Sequence, residues 1–269
     1  METACYHAGM LEQLTLIIKT VAQEVILPRY LKVSRGRKQD GSLFTEADLA
    51  MQDALTTALN SFCDCPLLGE EMSSATQREL WASSREGLWC VDPIDGTTNF
   101  VNGIPYFAVS VALIREGRPL FGVVYDPVAD EAFSAARGQG AYLNGRPLPL
   151  SDTVESLQDA VASVDLKRLP APLARTLATT PPYASQRNFG ACTLEWCYVA
   201  AGRFNAYLHG GQKLWDFAAG SLILEEAGGQ CCTLDGLPFW DAPPWQRSVI
   251  AALNPALFEE WRTWLQRCG

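Results

Sequence analysis

The chain has 269 residues, of which 48% are hydrophobic and 19% are charged, and this apolar share excludes an intrinsically disordered protein. Its formal net charge of −9 disfavours binding to nucleic acid and anionic membranes, which contact proteins largely through Lys and Arg. No apolar run reaches the roughly 18 residues of a membrane-spanning helix, and residues 1–10 lack a secretory signal pattern. We therefore expect a cytoplasmic globular protein without nucleic-acid or membrane partners.

The cysteine and histidine counts limit the chemistry further. The nine cysteines include no Cys-x-x-Cys pair, and several lie in apolar runs, which favours buried thiols over a disulfide framework or a zinc site. The two histidines, His7 and His209, are too few for a His-rich zinc site. A metal site in this chain would therefore use oxygen ligands, which suit Mg²⁺, Ca²⁺ or Mn²⁺.

Apolar periodicity predicts two helices in the first part of the chain. The first runs over 11–25 and ends near Pro28, and the second opens at Thr45–Asp48 and continues to Phe62. Two short apolar stretches, 66–68 and 88–91, each end at acidic residues. Strands are predicted over 107–114, 120–125 and 132–135, followed by a hairpin turn at Asn144–Gly145.

After residue 151 the pattern alternates between strands and helices. Strands are predicted over 160–164 and 205–208, and helices over 193–201, 215–227 and 255–267. Antiparallel strands followed by this alternation predict an α/β fold of layered sheets and helices. We expect a soft boundary within it near residue 150.

The most informative segment is Asp92-Pro93-Ile94-Asp95-Gly96-Thr97-Thr98-Asn99-Phe100, which places two carboxylates three residues apart after an apolar strand. Pro93 restricts its predecessor to extended geometry, Gly96 permits a tight turn, and the threonines after it can begin a helix. Such a turn directs the carboxylates to one point and leaves backbone N–H groups for a phosphate. The segment equally fits a surface turn with a helix cap.

Two further acidic positions favour a metal and phosphate site over a surface turn. Glu70, in the pair Glu70-Glu71, ends a short apolar stretch and by itself fits a solvated loop. Asp216 begins an apolar helix and by itself fits an N-cap. Together with Asp92 and Asp95 they lie where apolar elements begin or end, and four converging carboxylates would hold two or three Mg²⁺ ions. Two such ions can clamp a phosphate and activate a water.

The motifs DPIDGTTNF, LGEE and WDFAAG together resemble the three motifs of the inositol monophosphatase family, a member of the Mg²⁺-dependent, lithium-sensitive phosphatases. The resemblance covers nearly the whole chain, including 121–127, 138–145 and 226–229. It implies a layered αβαβα sandwich formed by a single domain over residues 1–269. It also implies Mg²⁺ or Mn²⁺ as cofactor, Li⁺ as inhibitor and a homodimer.

The resemblance further implies a role for each matched residue. The implied metal ligands are Glu70, Asp92, the carbonyl of Ile94, Asp95 and Asp216, and the implied phosphate contacts are Gly96, Thr97 and Lys38. Glu70 is implied to act in catalysis, together with the pair Thr97 and Asp48, which would take the proton of the attacking water. Thr45-x-x-Asp48 is also a capping-box signature, and Lys38 lies in a polar loop where a charged side chain is usually solvated.

Substrate contacts are implied for Asp95, Cys192, His209 and Asp216. Inositol-selective members carry Glu where this chain has His209, so the chain departs from the family here. A carboxylate accepts hydrogen bonds from sugar hydroxyls, whereas a neutral imidazole offers one donor and one acceptor. The departure predicts a broader substrate range, unless His209 is a surface residue at a strand end.

These features predict hydrolysis of a small phosphate monoester, inositol 1-phosphate or a related sugar phosphate, by a metal-activated water. A phosphorylated polyol, sugar or nucleotide is thus the expected small-molecule partner. Two alternatives remain at this point. The substrate would instead be 3′-phosphoadenosine 5′-phosphate or fructose 1,6-bisphosphate, or the chain would be an interaction scaffold with a vestigial site.

Overall fold

The computed structural model describes residues 2–32, 36–37, 43–83, 85–151 and 154–268, with side chains from residue 9 onward except at 36–37 and 43–44. Lys38 therefore lies outside the described residues. The helices are α1 (Glu2–Val25), α2 (Glu46–Phe62), α3 (Ser74–Ser83), α4 (Thr97–Asn102), α5 (Ala171–Thr179), α6 (Cys192–Ala200), α7 (Leu214–Glu226) and α8 (Pro255–Cys268). The strands are β1 (Gly36–Arg37), β2 (Leu43–Phe44), β3 (Leu67–Gly69), β4 (Leu88–Asp95), β5 (Ala108–Arg115), β6 (Arg118–Asp126), β7 (Glu131–Ala136), β8 (Ala141–Leu143), β9 (Arg146–Pro147), β10 (Val161–Asp165), β11 (Ser185–Arg187), β12 (Ala206–Gln212), β13 (Gln230–Cys232) and β14 (Arg247–Ala252).

Two large sheets organise the fold. The first has seven strands in the order β3-β4-β5-β6-β7-β8-β9, and only its β3–β4 pair is parallel. The second has five strands in the order β11-β10-β12-β14-β13, with β10 parallel to both of its neighbours. The predicted boundary near residue 150 falls between the last strand of the first sheet and the first strand of the second.

Three apolar clusters hold together five layers of helices and sheets. The first cluster joins α1 and α2 to one face of the seven-stranded sheet, through residues such as Leu14 and Trp89. The second joins the other face to α6 and α7 and to the five-stranded sheet, and it includes Trp196 and Phe217. The third joins the far face of the five-stranded sheet to α5 and α8, around Trp261. The order helix, sheet, helix, sheet, helix confirms the αβαβα sandwich.

The close contact of α7 with the first sheet is made possible by a glycine. A Cβ at Gly122 in β6 would lie 3.0 Å from both the Cα and the carbonyl oxygen of Ala219 in α7. Neither backbone atom can move alone, so glycine permits the helix to lie directly on the sheet. This contact helps to fix the N-terminal turn of α7, which carries Asp216.

The predicted elements are present, but seven further elements escaped the sequence pattern. These are the helices α3 and α5 and the strands β1, β2, β11, β13 and β14. Helix α3 has the polar sequence SATQRELWAS and buries only Gln77, so it carries no apolar stripe of helical period. No helix among the described residues is long and apolar enough to span a bilayer.

Candidate active site

A cavity of about 620 Å³ collects nearly all the residues that the sequence analysis singled out. It is lined by elements of both large sheets and by α7. The predicted site residues on its wall are Glu70, Asp92, Ile94, Asp95, Gly96, Thr97, Cys192, His209 and Asp216. Asp48 is not among the lining residues. The site therefore forms where the ends of separate elements meet.

The end of β4 positions the two aspartates of the central motif. The pairing of β4 with β5 is regular up to Asp92 and then shifts in register before Asp95, so the strand bends between them. The Asp92 carboxylate accepts the Ile94 N–H at 3.2 Å. Gly96 then adopts a φ of +86°, in the left-handed region that glycine enters without strain. The chain can thus turn directly into α4.

Helix α6 anchors Asp95 from the other half of the chain. One carboxylate oxygen of Asp95 accepts both the backbone N–H and the hydroxyl of Thr193, each at 2.6 Å. The other oxygen lies 3.6 Å from the Cys192 sulfur. Because these partners belong to the first turn of α6, a carboxylate there is favoured by the helix dipole. Asp95 therefore ties the motif to the loop and helix that carry Cys192.

Asp216 and Glu70 complete the acidic wall. Asp216 is the third residue of α7 and accepts the N–H of the N-cap residue Lys213 at 2.8 Å, so it is not itself the N-cap that the sequence suggested. Glu70 follows β3, and its backbone N–H donates to the Val91 carbonyl of β4 at 3.3 Å. The parallel pairing of β3 with β4 places Glu70 beside the Asp92 motif.

Burial and repulsion from neighbouring acids raise the pKa values of the three aspartates of this wall, Asp92, Asp95 and Asp216. Burial raises the pKa of Asp216 to about 8 and that of Asp95 to about 6, and the Thr193 hydrogen bonds oppose part of the rise at Asp95. Burial, followed by repulsion from Glu70 and the other acids, raises the pKa of Asp92 well above its usual value. Packing several buried acids together is costly unless a cation neutralises them.

The donor set fits a hard cation. Its ligating groups are carboxylate and carbonyl oxygens, which Mg²⁺, Ca²⁺ and Mn²⁺ prefer. Among the described residues, no three His, Cys, Asp or Glu side chains are already closed into a ligand cluster. Mg²⁺ retains several waters and binds proteins through few carboxylates together with phosphate oxygens.

Asp48 performs the capping role that the sequence allowed. One of its carboxylate oxygens accepts the Thr45 N–H at 2.8 Å and the Thr45 hydroxyl at 2.7 Å, in a complete capping box. The Thr97 hydroxyl donates to the Ile94 carbonyl at 3.1 Å. Asp48 is also near enough to Asp92 to raise its pKa. Its cap is therefore established, and its catalytic pairing with Thr97 stays a prediction.

His209 is buried on the cavity wall, which excludes the alternative of a surface residue. It is only 3% exposed, and its Nδ1 accepts the Gly211 N–H at 3.1 Å. Its Nε2 lies 3.3 Å from the Asp165 carboxylate. Both ring nitrogens thus have protein partners, and burial lowers the pKa of the imidazole. The ring therefore orients neighbours rather than presenting a free donor and acceptor to a sugar.

Sequence reasoning missed the cavity residues Asp165, Arg168 and Glu195, and also Thr193, which holds Asp95 but does not line the cavity. Asp165 ends β10 and binds both His209 and Arg168. The Glu195 carboxylate accepts the Phe189 N–H at 3.0 Å, and its burial raises its pKa to about 7. Asp165 could have been found because it is a polar residue directly after a predicted strand. Glu195 could have been found because it is an acid inside the apolar helix α6. Thr193 had no such signal.

The comparison with family models decides what this arrangement belongs to. The model of the inositol monophosphatase family matches residues 10–267. The chain belongs to the inositol monophosphatase family. Members of this family are phosphatases of small phosphorylated substrates that depend on Mg²⁺, in agreement with the acidic, oxygen-only wall described above.

Curated relatives carry two kinds of name. The Pasteurella multocida protein named Nus factor SuhB is 34% identical over 242 residues, covering 84% of this chain and 87% of the relative. Inositol monophosphatase 1 of Solanum lycopersicum is 39% identical over 237 residues, covering 83% of this chain and 82% of the relative.

Solved structures agree with the fold. The Thermotoga maritima IMPase superimposes with a TM-score of 0.82 at 26% identity, over 96% of this chain and 97% of that one. An IMPase/NADP phosphatase complexed with Mg²⁺ and phosphate gives a TM-score of 0.79 at 27% identity, over 97% of this chain and 95% of that one.

Proposed function

We propose that this protein hydrolyses a small phosphate monoester, inositol 1-phosphate or a related sugar phosphate, with Mg²⁺. The observation that carries the proposal is the convergence of Glu70, Asp92, Asp95 and Asp216 on one cavity wall. Buried acids with raised pKa values contribute little to the structure. They acquire a function when cations bind between them and a phosphate. A small soluble substrate fits a cavity of about 620 Å³.

In this proposal Glu70, Asp92, Asp95, Asp216 and the Ile94 carbonyl hold two or three Mg²⁺ ions. When bound, the ions supply Lewis-acid stabilisation of the phosphate and of the leaving oxygen, and they lower the pKa of a water. Mn²⁺ would occupy the same oxygen set, and Li⁺ would inhibit. No covalent phosphoenzyme is needed, because the attack on phosphorus comes from water.

The chain's own groups bind the phosphate and move the proton. The backbone N–H groups of Gly96 and Thr97, where α4 begins without a side-chain cap, donate to phosphate oxygens, and Lys38 adds a positive charge. The Thr97 hydroxyl, turned away from its present acceptor at Ile94, receives the proton of the attacking water and passes it toward Asp48. Asp48 keeps its cap to Thr45 in this step, because a carboxylate can accept several hydrogen bonds.

The other residues of the cavity orient the substrate. Asp95 and Asp216 accept hydrogen bonds from substrate hydroxyls near the metals, and Cys192 bounds the pocket at the start of α6. His209 contributes by fixing Asp165, since both of its nitrogens are engaged. We further propose that the enzyme is a cytoplasmic homodimer.

Two alternatives have direct support in the observations. Basic side chains on the cavity wall, Lys167, Arg168 and Lys213, favour substrates with a second phosphate, such as fructose 1,6-bisphosphate or 3′-phosphoadenosine 5′-phosphate. The name Nus factor carried by one relative favours an interaction scaffold. The intact acidic wall argues against a scaffold with a vestigial site, because buried acids that serve no reaction only cost stability.

The test is metal-dependent phosphate release from inositol 1-phosphate by the purified chain. Excess chelator should abolish the rate, and Mg²⁺ should restore it. Asp92→Asn and Asp216→Asn should each lower the rate on the order of 10²-fold or more, because each removes preorganised charge at the reacting phosphate. Asp235→Asn, an exposed position, is the matched control. Full activity in excess chelator would overturn the proposal.

A further inference from the structure

The cavity has a basic part that the proposed phosphatase chemistry leaves unused. Lys167 and Arg168 follow β10, and Lys213 precedes α7, and all three line the cavity that also holds the acidic wall. Arg168 lies near enough to Asp216 and Cys192 to interact with them electrostatically. Its side chain is 55% exposed and lines the cavity, so it is accessible to a ligand there.

A buried carboxylate holds Arg168 in place. One oxygen of Asp165 accepts the Arg168 Nη1–H at 2.5 Å and lies 3.3 Å from His209 Nε2, while the other accepts the Lys167 N–H at 3.0 Å. His209 Nδ1 accepts the Gly211 N–H, so Nε2 carries the proton that is donated to Asp165. His209 and Arg168 thus both donate a hydrogen bond to the same oxygen of Asp165.

Close backbone packing also fixes the position of Arg168. A Cβ at Gly210 would lie 1.9 Å from the carbonyl oxygen of Arg168, so only glycine lets β12 approach the turn of 166–168 this closely. The register of β12 against β14 is irregular between His209 and Gln212, which bends the strand at this contact. Side chain and backbone are therefore both positioned before any ligand arrives.

We propose that Arg168 is a specificity residue that binds a second phosphate of a bisphosphorylated substrate, with Asp165 and His209 as positioning residues. This inference rests on the proposed phosphatase function, in which the scissile phosphate lies at the acidic wall. Of the five N–H donors of a guanidinium, one bonds to Asp165, which leaves others for a bidentate phosphate contact. Lys167 and Lys213 add positive charge beside it.

Asp165 holds Arg168 without occupying all of its donors. It accepts one Arg168 N–H, through an oxygen that also accepts the His209 N–H. The remaining guanidinium donors can bind an incoming phosphate. Binding a preorganised guanidinium avoids the entropy cost of ordering a free side chain.

The experiment compares a sugar bisphosphate with the two monophosphates that each lack one of its phosphates. Steady-state kcat and KM are measured with Mg²⁺ for fructose 1,6-bisphosphate, fructose 1-phosphate and fructose 6-phosphate. Arg168→Gln should lower kcat/KM for the bisphosphate about 10- to 100-fold, the range expected for losing hydrogen bonds to a charged group, and mainly through KM. The monophosphates should change far less. Arg175→Gln, an exposed arginine of α5 outside the cavity, is the control and should change neither.

Two further variants separate positioning from binding. Arg168→Lys should recover part of the bisphosphate KM, because it keeps the charge but loses the planar fork. His209→Gln should raise the same KM by a smaller factor and leave the melting temperature near that of wild type. An effect of His209→Gln that is equal for all three substrates would mean a structural role only and would overturn its assignment.

The outcomes distinguish this inference from the proposed function. No release of phosphate from any substrate, inositol 1-phosphate included, would refute the phosphatase. Hydrolysis of monophosphates with no preference for the bisphosphate, and no selective effect of Arg168→Gln, would refute only the role of Arg168. Calorimetric binding of the bisphosphate with Mg²⁺ to Asp92→Asn and to Asp92→Asn/Arg168→Gln gives a readout without turnover. Equal Kd values for the two would also overturn the assignment.

Discussion

Replacing Asp216 by Asn should stabilise the metal-free protein while impairing the enzyme. Asp216 is partly buried, and its pKa is raised to about 8 by its removal from solvent and by repulsion from Asp95 and Glu70. Asn keeps an oxygen that can accept the Lys213 N–H, which now lies 2.8 Å from the carboxylate. The substitution therefore removes an ionisable group and preserves the helix cap.

The size of the effect follows from linkage. An unfolded Asp has a pKa of about 3.9, so between about pH 4 and pH 8 the native state holds a proton on Asp216 that the unfolded state has released. The unfolding free energy then falls as pH rises, by about 1.4 kcal/mol per pH unit for one such group. Between pH 5 and pH 8 this carboxyl alone costs the wild type about 4 kcal/mol, and Asp92 and Asp95 act in the same direction.

Urea unfolding followed by circular dichroism, in chelator at pH 5, 6, 7 and 8, measures this slope. The unfolding free energy of wild type should fall across the series. That of Asp216→Asn should fall less steeply, by about 1.4 kcal/mol per pH unit, which is the contribution of one titrating group. Asp235→Asn, at an exposed position, controls for the change in net charge. Mg²⁺ should stabilise wild type at pH 8 much more than Asp216→Asn. A wild-type stability that is flat or rises with pH, and that matches the variant throughout, would refute the reasoning.

Three other substitutions test separate contacts. Thr193→Val removes a 2.6 Å hydroxyl donor to Asp95 and should destabilise the protein by about 1–3 kcal/mol in urea unfolding; no change would deny the anchoring of the motif by α6. Asp48→Asn should keep the melting temperature, because the side-chain oxygen of Asn at this third helical position can still accept both hydrogen bonds from Thr45, but it should lower kcat; an equal kcat in both proteins would leave Asp48 a cap only. Gly122→Ala would force a Cβ to 3.0 Å from the backbone of Ala219 and should cost about 1–3 kcal/mol; a melting temperature equal to wild type would show that α7 can shift.

The sequence predicted the layers and the acidic wall well, because both depend on local patterns. The continuous burial of β4 is visible in its apolar run, and the motif from Asp92 to Thr97 combines a strand end, a turn and a helix start within a few residues. Helix α3 was missed for the converse reason. Its position depends on a single buried side chain, Gln77, which donates to the Gly69 carbonyl at 2.9 Å, and no periodicity marks such a contact.

The role of His209 shows where local patterns stop being informative. The departure from Glu at this position was visible, and it indicated altered substrate contacts. Its partner Asp165 lies 44 positions earlier in the chain, and the two meet only because β10 and β12 are parallel with Asp165 opposite His209. A shift of one residue in that register would place the two side chains on opposite faces of the sheet.

Register between distant strands is set by the packing of both faces of the sheet, not by the residues that happen to become neighbours. Ala162 and Leu208 are fixed by the outer cluster with α8, and Tyr207 by the inner cluster with α6 and α7. Only that combination leaves Asp165 and His209 facing the cavity, with the turn of 166–168 following directly. The same assembled sheet brings Arg168, a residue that no motif marks, to the cavity wall, so the positive charge in this part of the cavity could not be read from local sequence.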